Sequence, residues 1–249
     1  MHNRKEFTEA LRPYVTEGEH LMVHTSYKAL GGVEGGPNAV IDILLELLGP
    51  EGTLLLPTFT LDAWAQDHYF DINETPGLTG IIGELARKRP EFIRTQHPMY
   101  NFAVAGQYAK SYWYSDGSDS FGVDSVYELF HFVNGRILSL GVVDPDSTLS
   151  QAHYNEQAAG APYRYIKQFS GIYVDARGKP RLDTYSMFVR LTQRHRTRLN
   201  PATDRMIEQG AIKLFSLFGE KSLWTYSQDY FDAHTEIVRN NPELCYEVV

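Results

Sequence analysis

Sulfur is nearly absent from this chain of 249 residues, which has a single cysteine, Cys245. That count excludes an internal disulfide and any zinc site built from several thiolates, and it agrees with a reducing compartment. Long apolar runs are missing too. No stretch approaches the roughly 20 consecutive apolar residues of a bilayer-spanning helix, and the opening Met1 to Phe7 leads into a polar helical pattern with no apolar centre for a secretion signal. The cytoplasm is therefore the expected location, with no membrane partner. Positive charge is in deficit, at 23 basic against 31 acidic side chains and a net charge of −8. Such a field repels a phosphate backbone, so nucleic acid is not an expected partner. The surplus acid serves solubility, and it would also draw in a cationic amine. Repeats, low-complexity tracts and Ser/Pro-rich linkers are absent as well, so residues 1–249 read as one domain. A composition that is 43% hydrophobic excludes a disordered chain.

What is there reads as α/β. Residues 4 to 18 carry a weak helical pattern, and Leu21-Met22-Val23 opens a buried strand. Gly31 to Gly36 holds four glycines in six positions, a loop, with Pro37 well placed at a helix start. Val40, Ile41, Leu44, Leu47 and Leu48 then recur at three- and four-residue spacing until Gly49-Pro50. A second buried strand, Thr53 to Leu56, completes a strand–helix–strand unit that favours a parallel pair. Further on, Ile81 to Arg89 and Val126 to Phe132 read as helices, and Phe102 to Ala105 and Arg136 to Val142 as strands. The Asp175 to Gly178 turn predicts an antiparallel hairpin over Ile172 to Val189, added to the sheet. Met206 to Phe218 has an amphipathic helical pattern, and Ser222 to Ser227 reads as a final short strand. The expected architecture is a mixed central sheet with helices on both faces.

Several segments, in one order, carry a resemblance. Val23-His24-Thr25-Ser26-Tyr27-Lys28-Ala29-Leu30-Gly31-Gly32, Glu51 to Thr60, Phe70-Asp71 with Thr75-Pro76 and Gly80, Arg94 to Pro98, Phe121 to Ser125 and Gly135 to Val142 resemble successive blocks of the aminoglycoside 3-N-acetyltransferase family. The likeness covers roughly residues 20 to 165. It implies an antibiotic N-acetyltransferase-like fold, acetyl-CoA as co-substrate, and direct acetyl transfer to a primary amine of an aminoglycoside or related amino sugar. Two departures stand out: Asn101 occupies the last place of the family's His-Pro-x-x-Ser, and Ser150 stands where a Thr is usual, three residues before His153. A biosynthetic amino sugar, nucleotide-linked or of a surface polysaccharide, is the alternative acceptor, and a non-catalytic sugar- or CoA-binding module the alternative class.

Acetyl transfer to an amine requires a base, a donor to the oxyanion and alignment of two substrates. The resemblance marks His153 of His153-Tyr154-Asn155-Glu156 as the base, since a neutral imidazole suits cellular pH. On a helix over Gln151 to Gln157, His153 and Glu156 lie one turn apart, so Glu156 either orients the ring or holds the acceptor ammonium. Ser150 is the oxyanion donor or, alternatively, a helix cap. For the cofactor the resemblance points to the loop bearing Thr25, Ser26, Lys28 and Gly32, with Arg94 as a second phosphate partner; His97 is the rival base, or a loop histidine that lines the site, and plain turn and surface roles compete for the others. No P-loop or dinucleotide fingerprint occurs. His24 reads as structural. Asp144 and Asp146, with Glu156, would present charge to an amine, or else are turn residues; they lack the further ligands of a calcium or zinc site, so no metal is expected. Tyr163-Arg164-Tyr165 and Tyr185 to Phe188 would stack on a sugar or fill the core. Nothing in the sequence sets the oligomeric state, and a homo-oligomer stays open.

Overall fold

The computed structural model describes residues 1–115, 117–142 and 149–249. Among them twelve strands follow in chain order: β1 (His20–Thr25), β2 (Thr53–Pro57), β3 (Tyr69–Asp71), β4 (Ile93–Arg94), β5 (Phe102–Gly106), β6 (Arg136–Leu140), β7 (Arg164–Val174), β8 (Pro180–Arg190), β9 (His195–Thr197), β10 (Lys213–Leu217), β11 (Glu220–Tyr226) and β12 (Tyr246–Val248). Seven of them make one sheet in the order β10-β11-β6-β1-β2-β5-β4. The middle three, β6, β1 and β2, run parallel, and every other pairing in the sheet is antiparallel. The sheet is therefore mixed, as expected.

Helices cover both faces, and side-chain alternation along the central strands divides the core in two. Leu21, Val23, Leu54, Leu56, Leu138 and Leu140 point to one face, against Phe7 and Leu11 of the helix Arg4–Leu11 and Val40, Ile41 and Leu44 of the helix Pro37–Leu48. Met22, Leu55 and Ile137 point to the other, against Tyr127 and Phe130 of the helix Val126–Phe132 and Tyr230, Ile237 and Val238 of the helix Ser227–Asn240. A strand buried on both faces has no polar side to alternate, hence the continuous apolar runs in the sequence. Each of these Leu, Ile or Val side chains gains about 1.5–3 kcal/mol from burial. The helix Pro37–Leu48 stops at Gly49, whose φ of +66° a glycine adopts without strain.

Two expectations change, and one helix is unexpected. The hairpin is longer than predicted, β7 pairing with β8 from Arg164↔Arg190 to Val174↔Pro180, and it joins β3 in a separate three-stranded sheet instead of extending the main one. Lys213–Leu217 is a strand, not the end of a helix; the helix there is Asn200–Glu208. Leu214, Phe215 and Leu217 satisfy both periods at this length, and pairing with β11 decides for the strand. The helix Ser227–Asn240, unread in the sequence, packs against the helix Gln151–Ala159. No described helix is long and apolar enough to cross a membrane.

Candidate active site

Open α/β sheets bind ligands outside the carboxyl ends of parallel strands, where neighbouring connections leave in opposite directions. Here that place is the end of β1, between β2 and β6. A cleft of about 600 Å³ opens there, lined among others by Thr25, Ser26, Lys28, Pro57, Gly80 and Ser150. Thr25, Ser26 and Lys28, expected at the cofactor, thus share one wall. Lys28 is exposed and forms no ion pair with any described residue, and Thr25 Oγ1 is buried without a hydrogen-bond partner among them. A cation with no anionic partner among the described residues, beside the hydroxyls of Thr25 and Ser26, the latter also accepting from Ala29 N, is a chemically suitable cradle for a phosphate-bearing cofactor.

Ser150 ties this cleft to the helix Gln151–Ala159. Its side chain makes no capping bond, so the helix-cap role falls away, and its Oγ lies 3.5 Å from His24 Nε2. His24 lines the cleft as well, and burial lowers its imidazole to about 4. The helix is pinned from behind: Gln151 Nε2 donates to Ser227 O at 2.9 Å, and Ser227 Oγ donates to Gln151 Oε1 at 2.9 Å.

One turn along this helix, His153 Nδ1 lies 2.8 Å from Glu156 Oε2. A carboxylate can only accept, so Nδ1 carries the proton and Nε2 of the neutral ring is left as an acceptor. The ring is not among the residues that line the cleft; it stands edge-on to Phe121 at 5.5 Å and Tyr100 at 6.3 Å, and Tyr100 in turn packs on Phe59, a lining residue. Its side chain is one-fifth exposed, whereas that of Glu156 is fully buried. Burial lowers the His153 imidazole below its usual 6.5, and the Arg164 cation adds to this, against the opposing pull of Glu156.

Glu156 survives as an anion in the interior because of its partners. Burial alone would raise its carboxyl, but Arg164 and His153 overcome this and hold it at about 2. Arg164 Nε is 2.8 Å from Oε2, and the Tyr163 hydroxyl donates to Oε1 at 2.9 Å. Both come within reach because the helix ends at Gly160, whose φ of +72° turns the chain back and lets Ala161 N donate to Glu156 O. The sequence pattern did not assign Tyr163 and Arg164 to this pair. Tyr163 is buried and stacks on Tyr246 at 4.4 Å, which removes it from any sugar-facing surface; Tyr185 and Phe188 are buried as well, and Tyr165 is exposed. Glu156 presents no exposed surface, and its described side-chain partners are His153, Tyr163 and Arg164.

Other expected site residues lie elsewhere. Gly32, with φ of +80°, serves a turn closed by Val33 N donating to Tyr27 Oη, and does not line the cleft. Arg94 is not available to a phosphate: it is buried and donates to Asn101 Oδ1 and to the carbonyls of Thr58, Ile72 and Thr75. His97 is buried too, accepting at Nδ1 from Met99 N and Tyr100 N, with its imidazole lowered by burial to about 3. Asn101 belongs to the same buried group, exchanging bonds with Thr58, Thr60 and His97 O, so this departure from the family pattern is a buried position that does not line the cleft. Asp144 and Asp146 lie outside the described residues, among which no cluster of His, Cys, Asp and Glu could hold a metal ion.

A sequence model of the family described as aminoglycoside 3-N-acetyltransferase matches residues 22–238. Among similar proteins, aminoglycoside N(3)-acetyltransferase VII of Streptomyces paromomycinus is 31% identical over 183 residues, 64% of this chain and 62% of its own. Aminoglycoside N(3)-acetyltransferase IV of a Salmonella species is 35% identical over 159 residues, 60% of this chain and 56% of its own. The matched region thus spans less than two thirds of these relatives. In three dimensions the chain superposes on aminoglycoside acetyltransferase AAC(3)-IIb with a TM-score of 0.82 at 20% identity, covering 97% of this chain and 98% of that one. A binary complex of AAC-IIIb with CoASH gives 0.81 at 18% identity, covering 94% and 95%. At these identities the shared property is the fold.

Proposed function

This chain belongs to the aminoglycoside 3-N-acetyltransferase family, and on that premise we propose that it transfers an acetyl group from acetyl-CoA to a primary amine of an aminoglycoside or related amino sugar. The observation that carries this reading is the His153–Glu156 pair, joined at 2.8 Å one turn from a serine that lines a cleft at the sheet's parallel strand ends. Acetyl-CoA supplies the thioester, and Thr25, Ser26 and Lys28 hold its phosphates. His153 Nε2 removes a proton from the acceptor nitrogen, which bonds to the acetyl carbon as the carbon–sulfur bond breaks; the proton then goes to the departing sulfur. Ser150 offers its hydroxyl to the carbonyl oxygen, a contact worth roughly 3 kcal/mol of barrier when aligned. No protein nucleophile is needed.

A thiol-release assay with acetyl-CoA and a panel of aminoglycosides and amino sugars tests the reading. The intact protein is expected to release CoA with at least one of them, and His153→Ala to lose about 10²–10⁴-fold in kcat. If no amine in the panel is acetylated, the chain is a binding module and the reading fails. A nucleotide-linked amino sugar as the sole acceptor would move the activity to biosynthesis.

A further inference from the structure

Resting on the reading of His153 as the base, we propose that Arg164 is a positioning residue for acetyl transfer: it fixes Glu156 as an anion in one orientation, and thereby holds the His153 ring with Nδ1 protonated and Nε2 free. Arg164 stands at the first residue of β7, outside the His153 helix. Its head is held by two hydrogen bonds, Nη1 donating to Phe188 O at 3.2 Å and Nη2 to Thr197 Oγ1 at 2.9 Å, which place Nε in an ion pair 2.8 Å from Glu156 Oε2, without a hydrogen bond aligned along it. Its side chain is 6% exposed, so solvent screens the pair little. His153 and Arg164 approach the same carboxylate oxygen, while Tyr163 occupies the other. Rotation of Glu156 would break all three contacts at once.

The groups around this pair come from several elements. Tyr163 and Arg164 lie at the start of the β7 hairpin, His234 and Tyr230 on the helix Ser227–Asn240, Cys245 just after it, and Tyr100 on the loop before β5. Arg164 acts on both partners. It favours the Glu156 anion and disfavours the His153 imidazolium, which keeps the ring competent to take a proton.

The experiment compares wild type, R164M, R164K, E156Q, the double variant E156Q/R164M and H153A. It reads kcat, KM for acetyl-CoA, the pH profile of kcat/KM, and the ring titration of His153 by NMR in the protein without substrates. R164M is expected to lower kcat by about tenfold to a hundredfold, the range seen for outer partners of oriented histidines, with KM for acetyl-CoA unchanged. Its acid limb and the His153 titration should both move to higher pH, because the nearby cation is gone; those of E156Q should move to lower pH. In the E156Q background R164M should cost little more in kcat. R164K keeps the charge without the fork, so its kcat falls while its acid limb stays, and this comparison carries the test should R164M not fold.

A general structural role would lower the active fraction and move no titration. Wild-type kcat and an unmoved acid limb in R164M, or wild-type kcat in R164K, overturns the inference. If H153A itself keeps the wild-type rate, the base assignment fails and the inference with it. If H153A is inactive and R164M is unchanged, the inference alone fails.

Discussion

The hydroxyl of Tyr163 is bonded to Glu156 Oε1 at 2.9 Å, on the carboxylate oxygen that His153 does not use. Both side chains are buried, so water cannot replace the bond if it is lost. Tyr163→Phe is expected to destabilise the protein by about 1.5–3 kcal/mol, the range for a hydrogen bond to a charged group. The ring would keep its stacking on Tyr246. Urea denaturation checks this, and an unchanged midpoint would show that the bond contributes nothing.

Acid should unfold the protein through its buried histidines. Burial lowers His24, His97 and His234 to about 4, 3 and 4, from an ordinary 6.5. The unfolded chain binds protons from pH 6.5 downward, whereas the folded chain does not, so stability is complete above 6.5 and falls as pH drops toward those values. Each group contributes up to about 1.4 kcal/mol per pH unit, and the three together about 4 kcal/mol per unit between pH 6 and 4. Glu156 acts at lower pH, its contribution present above its ordinary 4.5 and lost as pH falls toward about 2. Denaturant midpoints measured from pH 7 to 4 test the slope, and His97→Gln should reduce it by about one third if the variant folds. A flat profile over that range contradicts the burial argument.

Lys28 has no anionic partner among the described residues and lines the cleft. As a phosphate contact worth about 1.4 kcal/mol, its loss in Lys28→Ala should raise KM for acetyl-CoA about tenfold and leave kcat within about twofold. Added salt should weaken wild type more than the variant. An unaltered KM would remove Lys28 from the cofactor site.

Gly83 shows how tightly one wall of the cleft is packed. A Cβ there would stand 2.1 Å from Pro57 O, a backbone atom at the end of β2. Gly83→Ala must push the helix Ile81–Ala86 off the strand, at a cost of about 1–3 kcal/mol. Gly80, Ile81 and Gly83 line the cleft, so KM for acetyl-CoA should rise with the loss of stability. Thermal melting and KM are read on the same preparation, and a variant as stable as wild type argues against the close approach.

Much of the fold was legible because the central strands are buried on both faces and the helix Pro37–Leu48 has an aliphatic stripe bounded by glycines. The helix Ser227–Asn240 was not, since its buried face includes Tyr230, His234 and Thr235, residues that count as polar or neutral in a periodicity reading. At the site, the spacing of His153 and Glu156 translated directly into a contact, because both sit on one helix. Arg164 could not be found that way. Its approach depends on the chain reversal at Gly160 and on anchors in β8 and β9, none of which has a local signature. Arg94 and His97 looked like ligands because residue type alone does not distinguish a charge spent on buried carbonyls from a free one.

Each margin of the main sheet ends in an antiparallel pair of consecutive strands, β4 with β5 on one side and β10 with β11 on the other. Such pairs are self-contained additions: one could be lengthened or exchanged without rethreading the crossover from β1 to β2. The outline of the molecule is thereby free to diverge among descendants while the chemistry stays anchored at its centre.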